Sequence, residues 1–105
     1  MILLINPFRI FESREDEVLD LWDQTGDIFR RSKGYISARL YKAARDQPPG
    51  QTAPFTHINI ADWESAELYA KPLSNPDIRR LAGAYAKVCT FNPALYETAK
   101  DQLPV

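Results

Sequence analysis

The chain holds one cysteine, Cys89, and one histidine, His57, among 105 residues. A lone thiol excludes an internal disulfide. No pair of Cys or His residues stands at ligand spacing, so a bound metal is not expected. The glycines, Gly26, Gly34, Gly50 and Gly83, are scattered, which excludes a phosphate-cradling loop. No nucleophile-elbow motif accompanies His57, which argues against a Ser-His-Asp hydrolase. No recognisable flavin or nicotinamide motif is present, and the expected cofactor is none. Long hydrophobic runs are missing too. Met1–Ile5 is apolar, but Asn6 and Pro7 end it and no basic segment precedes it. It reads as a strand, not as a leader or a membrane span. An excess of one charge is also absent, since 13 basic residues face 14 acidic ones. The arginine pairs Arg30-Arg31 and Arg79-Arg80 are too few for a polyanion-binding stripe, so neither nucleic acid nor a membrane surface is an expected partner. A reducing, cytoplasmic location fits the unpaired thiol.

What is present suits one globular domain over residues 1–105, with 45% hydrophobic and 26% charged residues. Ile2–Ile10 is rich in aliphatic and β-branched residues and predicts a strand, with Pro7 marking an edge or bulge. Ser13 and Asp16 resemble a capping box, and Glu15, Asp16 and Glu17 suit a first helical turn. Val18, Leu21, Trp22, Thr25, Ile28 and Phe29 then recur at helical spacing. Arg30, Arg31 and Lys33 suit the last turn, and Gly34 a left-handed C-terminal cap. Tyr35–Ala44 predicts a second strand, with Tyr35, Ser37, Arg39 and Tyr41 on one face and Ile36, Ala38 and Leu40 on the other. A polar loop follows to Pro54. Phe55–Ala61 predicts a third strand, with Phe55, His57 and Asn59 sharing a face opposite Thr56, Ile58 and Ile60. Asp62 is placed as N-cap of a helix from Trp63 to about Ala70, broken at Pro72. Asn75 and Pro76 give cap and N1 proline of a further helix carrying Ile78, Leu81, Ala82 and Tyr85. Val88–Thr98 is the last strand, interrupted at Asn92-Pro93.

The order β-α-β-β-α-β is the ferredoxin-like split βαβ, an α+β fold with two helices on one face of a four-stranded antiparallel sheet. Strands one and three are apolar on both faces, and the chain has no third layer to offer. A second copy of the sheet is the expected cover, making a homodimer.

The residues most open to a chemical role are polar groups on apolar strands. Asn6, Asn59 and Asn92 each interrupt a strand, and a buried amide left unpaired costs about 1–3 kcal/mol. Each must bond either the backbone or a ligand. Asn6 and Asn92 adjoin prolines that disrupt the ladder, whereas Asn59 has no such neighbour to repair. Trp63 is either core filler or a donor beside Asn59. His57 is more simply a satisfied histidine than a base.

Taken together, Ile5-Asn6-Pro7-Phe8, Leu21-Trp22, Lys33-Gly34-Tyr35-Ile36-Ser37, the stretch from Asn59 to Ser65 and Asn92-Pro93-Ala94-Leu95-Tyr96-Glu97 resemble the antibiotic biosynthesis monooxygenase family. The resemblance spans about residues 2–98. It implies a dimeric α+β barrel. Its nearest branch comprises small quinone-forming monooxygenases that oxidise polycyclic phenols such as anthrones in polyketide tailoring, with O2 and neither metal nor organic cofactor. The branch pattern of an asparagine, a tryptophan four residues on and a tyrosine six after that falls on Asn59, Trp63 and Tyr69, implying catalytic roles. The family arginine late in the second helix meets Gly83 here, so Arg79 or Arg80, with a shift, is the candidate. Asn6 and His57, with Phe8, Phe55 and Phe91, are the implied substrate contacts. A heme-degrading branch shares Asn6, but its tryptophan and histidine positions fall near Pro72 and Ala82, which disfavours that activity. A non-catalytic small-molecule binder on the same fold is the alternative.

Overall fold

The computed structural model describes residues 1–105. Strand β1 (Ile2–Ile10) occupies the middle of an antiparallel sheet. Strand β3 (His57–Trp63) pairs along one side of it, and β2 (Tyr35–Lys42) pairs outside β3. The other side of β1 is shared by two short strands, β4 (Cys89–Phe91) and β5 (Ala94–Tyr96). Asn92 and Pro93 separate them, so the sheet has five strands where the ferredoxin-like plan counts four. Proline has no N–H to give a ladder, and the chain is re-anchored by Asn6, whose Oδ1 accepts from the Asn92 N–H at 2.9 Å.

Helix α1 (Glu15–Phe29) carries Glu15, Asp16 and Glu17 in its first turn, where the helix dipole favours anions. The expected capping box does not form. Ser13 adopts φ 64°, Arg14 is the N-cap without a side-chain cap bond, and Arg14 Nε donates to Glu17 Oε1 at 2.7 Å. The helix ends before the basic residues, and Gly34 is not its cap. At φ +94°, Gly34 turns the chain into β2, where its carbonyl accepts from the Glu64 N–H at 2.8 Å. A β-bulge between Tyr35 and Ser37 then alters the expected faces of β2. Tyr35 pairs with Trp63 and Ala38 with Ala61, so Tyr35 shares the helix-covered face with Ala38 and Leu40.

Strand β3 runs two residues past its expected end. Trp63 is its last residue, not the first of a helix. Asp62 caps nothing. It turns away from the helices and accepts from Ser37 Oγ at 3.2 Å, while Ser65 caps α2 (Ala66–Ala70) by accepting from the Leu68 N–H. A 3₁₀ turn, Lys71–Ser74, leads to α3 (Pro76–Ala86), which Asn75 caps at Asp77 N, as the Asn-Pro signature predicts.

All the fully buried side chains lie between the helices and one sheet face. Nine of them form two clusters, Phe8, Val18, Tyr85, Val88 and Cys89 in one and Leu4, Ala61, Trp63 and Tyr69 in the other, while Ile78, Leu81 and His57 are buried outside both. The outer face carries Leu3, Ile5, Pro7, Ile58 and Ile60 on its central strands, and none of these reaches full burial. No helix is long and apolar enough to cross a membrane.

Candidate active site

Alternation along β1 and β3 aims Leu4, Asn6 and Phe8, together with Asn59, Ala61 and Trp63, at the helices. Between that face and α1, α2 and α3 lies a cavity of about 390 Å³. That volume is within the range of small-molecule sites, roughly 300–1,000 Å³. Its walls come from both core clusters, and 15 of its 22 lining residues are hydrophobic, so its few polar groups decide what binds.

Trp63 is 1% exposed and forms one wall. Its indole meets the rings of Phe29, Tyr35 and Tyr69 edge-on, at centroid distances of 5.6, 5.6 and 5.4 Å. Three edge contacts fix the plane of the ring, which orients an N–H that has no partner within the chain. Tyr69, on α2, is buried beside it, and desolvation raises its phenol above the ordinary value of 10.0. It is therefore a neutral donor at physiological pH. Asn59 sits two residues back along β3 from Ala61, and its Oδ1 accepts from Trp22 Nε1 at 3.1 Å. Asn6 is its direct cross-strand partner. Phe91 closes the side next to β4.

The structure therefore brings Asn59, Trp63 and Tyr69 to one cavity with Asn6, Phe8 and Phe91. It does not bring His57, Phe55 or Arg79 there. His57 faces the helices but lies at the far end of β3, where its Nε2 donates to Glu15 Oε2 at 2.8 Å. Lys42 Nζ approaches the same carboxylate at 2.9 Å, and Lys42 and His57 together hold the Glu15 carboxyl below its ordinary range. Phe55 precedes β3 and lies beneath the Arg9 guanidinium, 5.6 Å from its ring centroid. Arg79 is exposed on the solvent side of α3, whose cavity face is Ile78, Leu81, Ala82 and Tyr85. The arginine that does reach the cavity wall is Arg30, just past α1 and ion-paired with Asp27. In the sequence Trp22 stands in a helical apolar stripe and in one of the segments that carry the family resemblance, with no role of its own. A signal was nonetheless there, because an indole that is buried needs an acceptor. No cluster of three or more His, Cys, Asp or Glu side chains is placed to hold a metal.

No family model matches the chain, and no curated protein sequence does. Solved structures do. SnoaB, a cofactor-independent oxygenase from Streptomyces nogalater, superposes with TM-score 0.77 at 23% identity, covering 99% of this chain and 97% of that one. A candidate monooxygenase from Shewanella loihica PV-4 gives 0.71 at 24% identity over 95% of each chain. A candidate antibiotic biosynthesis monooxygenase from Deinococcus radiodurans gives 0.74 at 14% identity over 100% and 99%. The chain has the α+β fold of the antibiotic biosynthesis monooxygenases.

Proposed function

We propose that this chain, a single domain over residues 1–105, is a monooxygenase that oxidises a polycyclic phenol or anthrone of polyketide type to a quinone with O2. It does so without metal, flavin or other cofactor. The observation that carries the reading is one apolar cavity lined by Asn59, Trp63 and Tyr69 alike. An anthrone is acidic at its methylene and rich in electrons, so it supplies what a cofactor otherwise would. Loss of the methylene proton gives an enolate. The enolate passes one electron to O2, and the resulting carbon radical and superoxide couple to a peroxide. Protonation of the peroxide, then cleavage of its O–O bond and of the remaining C–H bond, releases water. One oxygen atom ends in the quinone and the other in water.

The protein's part is to exclude water, hold the ring plane and stabilise the enolate oxygen. The Trp63 indole N–H and the Asn59 amide N–H are the donors for that oxygen. Tyr69, kept neutral by burial, delivers a proton to the peroxide. Phe8 and Phe91 flank the aromatic substrate. The test is oxygen uptake with anthrone or dithranol. Uptake above spontaneous autoxidation, at one O2 per substrate and without accumulated hydrogen peroxide, is the expected result. An anthrone that binds while oxygen uptake stays at the buffer rate leaves a binding module and ends the oxygenase reading.

The reading includes a homodimer in the cytoplasm. The half-exposed outer face with Leu3, Ile5, Ile58 and Ile60 supports the pairing, since apolar residues on central strands call for a cover. Light scattering is expected to give about twice the 12.0 kDa chain mass. A monomer at micromolar concentration refutes the pairing.

A further inference from the structure

Two asparagines lie side by side on the cavity floor, Asn6 on β1 and Asn59 on β3, as direct cross-strand partners. An asparagine amide is ambivalent, offering an acceptor oxygen and a donor nitrogen, and its partners decide which end is left over. Here both partners are donor-only groups. Trp22 Nε1–H donates to the Asn59 oxygen at 3.1 Å, and the Asn92 backbone N–H donates to the Asn6 oxygen at 2.9 Å. Neither donor can accept, so neither amide can be turned over without setting two N–H groups against each other. Both amide nitrogens are free of partners within the chain. The Trp63 indole, on the same sheet face, is likewise a donor and likewise free.

We propose that Trp22 is a positioning residue. Its indole locks the Asn59 amide so that, with Asn6 locked by Asn92, the cavity floor turns unpartnered N–H donors to the ligand while both amide oxygens are already engaged, and favours a substrate that brings an acceptor oxygen to the sheet: an aryl ketone or its enolate. This rests on the oxygenase reading only for the fate of the substrate; the selectivity is a property of binding. A hydrocarbon of the same shape leaves the donors unpaired and dry. An aryl amine meets these donors with a donor of its own and finds only the second lone pairs of two amide oxygens that already accept. An enolate gains most, because hydrogen bonds to a charged acceptor are about twice as strong as neutral ones.

The probes are anthrone and 9,10-dihydroanthracene, which differ at one position by a carbonyl, bound anaerobically and measured by equilibrium dialysis. Wild type is expected to prefer anthrone by about ten-fold or more, the equivalent of one well-made hydrogen bond. Trp22→Phe keeps the ring in α1 and removes the N–H, and is expected to lose most of that preference. Asn59→Ala loses it as well. The double variant is expected to match Asn59→Ala, since a residue that acts through Asn59 has nothing left to act on. Asn59→Asp serves if Trp22→Phe does not fold. It keeps one oxygen toward Trp22 and turns another toward the ligand, so anthrone is expected to bind no better than the hydrocarbon. Equal binding of both probes by wild type, or losses that add in the double variant, overturns the proposal. Selective binding without oxygen uptake keeps this inference and ends the oxygenase reading. Oxygen uptake with additive losses does the reverse.

Discussion

Trp63→Phe separates packing from chemistry at this site. The ring is 1% exposed, so its truncation loses transfer free energy in full. The lost part faces a cavity of about 390 Å³ and therefore enlarges an existing space without creating a sealed void. No hydrogen bond within the chain is broken, and a phenyl ring still reaches Phe29, Tyr35 and Tyr69. The expected cost is about 1–2 kcal/mol, well short of the roughly 3–5 kcal/mol of a Trp→Ala truncation in a core. For a domain of this size that lowers the melting temperature by roughly 5–15 °C. The catalytic cost is separate. Removing a donor aimed at a developing oxyanion slows reaction by about a hundred- to a thousand-fold. Oxygen uptake with anthrone, measured well below the melting transition and normalised to folded protein by circular dichroism, gives the second number free of the first. A variant that melts early yet turns over at the wild-type rate makes Trp63 a core residue and refutes the oxyanion assignment.

Gly34→Ala is expected to destabilise by about 2–4 kcal/mol, because the residue adopts φ +94° and a Cβ there would stand 2.6 Å from Leu68 Cβ; chemical denaturation checks it, and a loss below half a kcal/mol rejects the clash. Stability is also expected to fall at alkaline pH. Burial raises Cys89 from 9.0 to about 11 and Tyr85 from 10.0 to about 12, so each contributes stability that is complete below its unfolded pKa and lost as pH rises through the folded one. Urea midpoints between pH 8 and 12 are expected to decline first in the Cys89 window, and Cys89→Ala to remove that first decline. A flat profile over the range rejects the burial effect.

The parts of the fold that were legible are those where one local signal has no competitor. The α1 stripe, the Asn75-Pro76 helix start and the break at Asn92-Pro93 are such cases, and all stand where the sequence puts them. Reading failed where two residues offer the same chemistry a few positions apart. Asp62 and Ser65 are both good caps, and only the extra length of β3 decides for Ser65. That decision matters for the site, because Trp63 as a strand residue shares the face of Asn59 by parity alone. Alternation also reveals face but not depth. His57 and Asn59 are equivalent by parity, yet one meets Glu15 beside the start of α1 and the other meets Trp22 and the cavity. Arg79 follows from the family arginine position at Gly83, shifted along α3, and nothing in that shift shows that Arg30, just past α1, reaches the cavity wall.

The bulge in β2 has a consequence for how the site can change over generations. Ile36 is the surplus residue, bulged between Tyr35 opposite Trp63 and Ser37 opposite Asp62. Remove one residue between Gly34 and Ser37 and the strand regains strict alternation. With the pairing beyond the bulge kept, loss of Ile36 leaves Tyr35 opposite Trp63, whereas loss of Tyr35 puts Ile36 there and exchanges a phenol ring for an aliphatic side chain. The wall of the chamber is in this sense set by chain length as well as by side-chain identity. A single-codon deletion next to a glycine turn can remodel the chamber while the register of the remaining sheet stays fixed. Relatives with this architecture can diverge in what they accept through gain or loss of one amino acid, a kind of change that a comparison of aligned substitutions passes over.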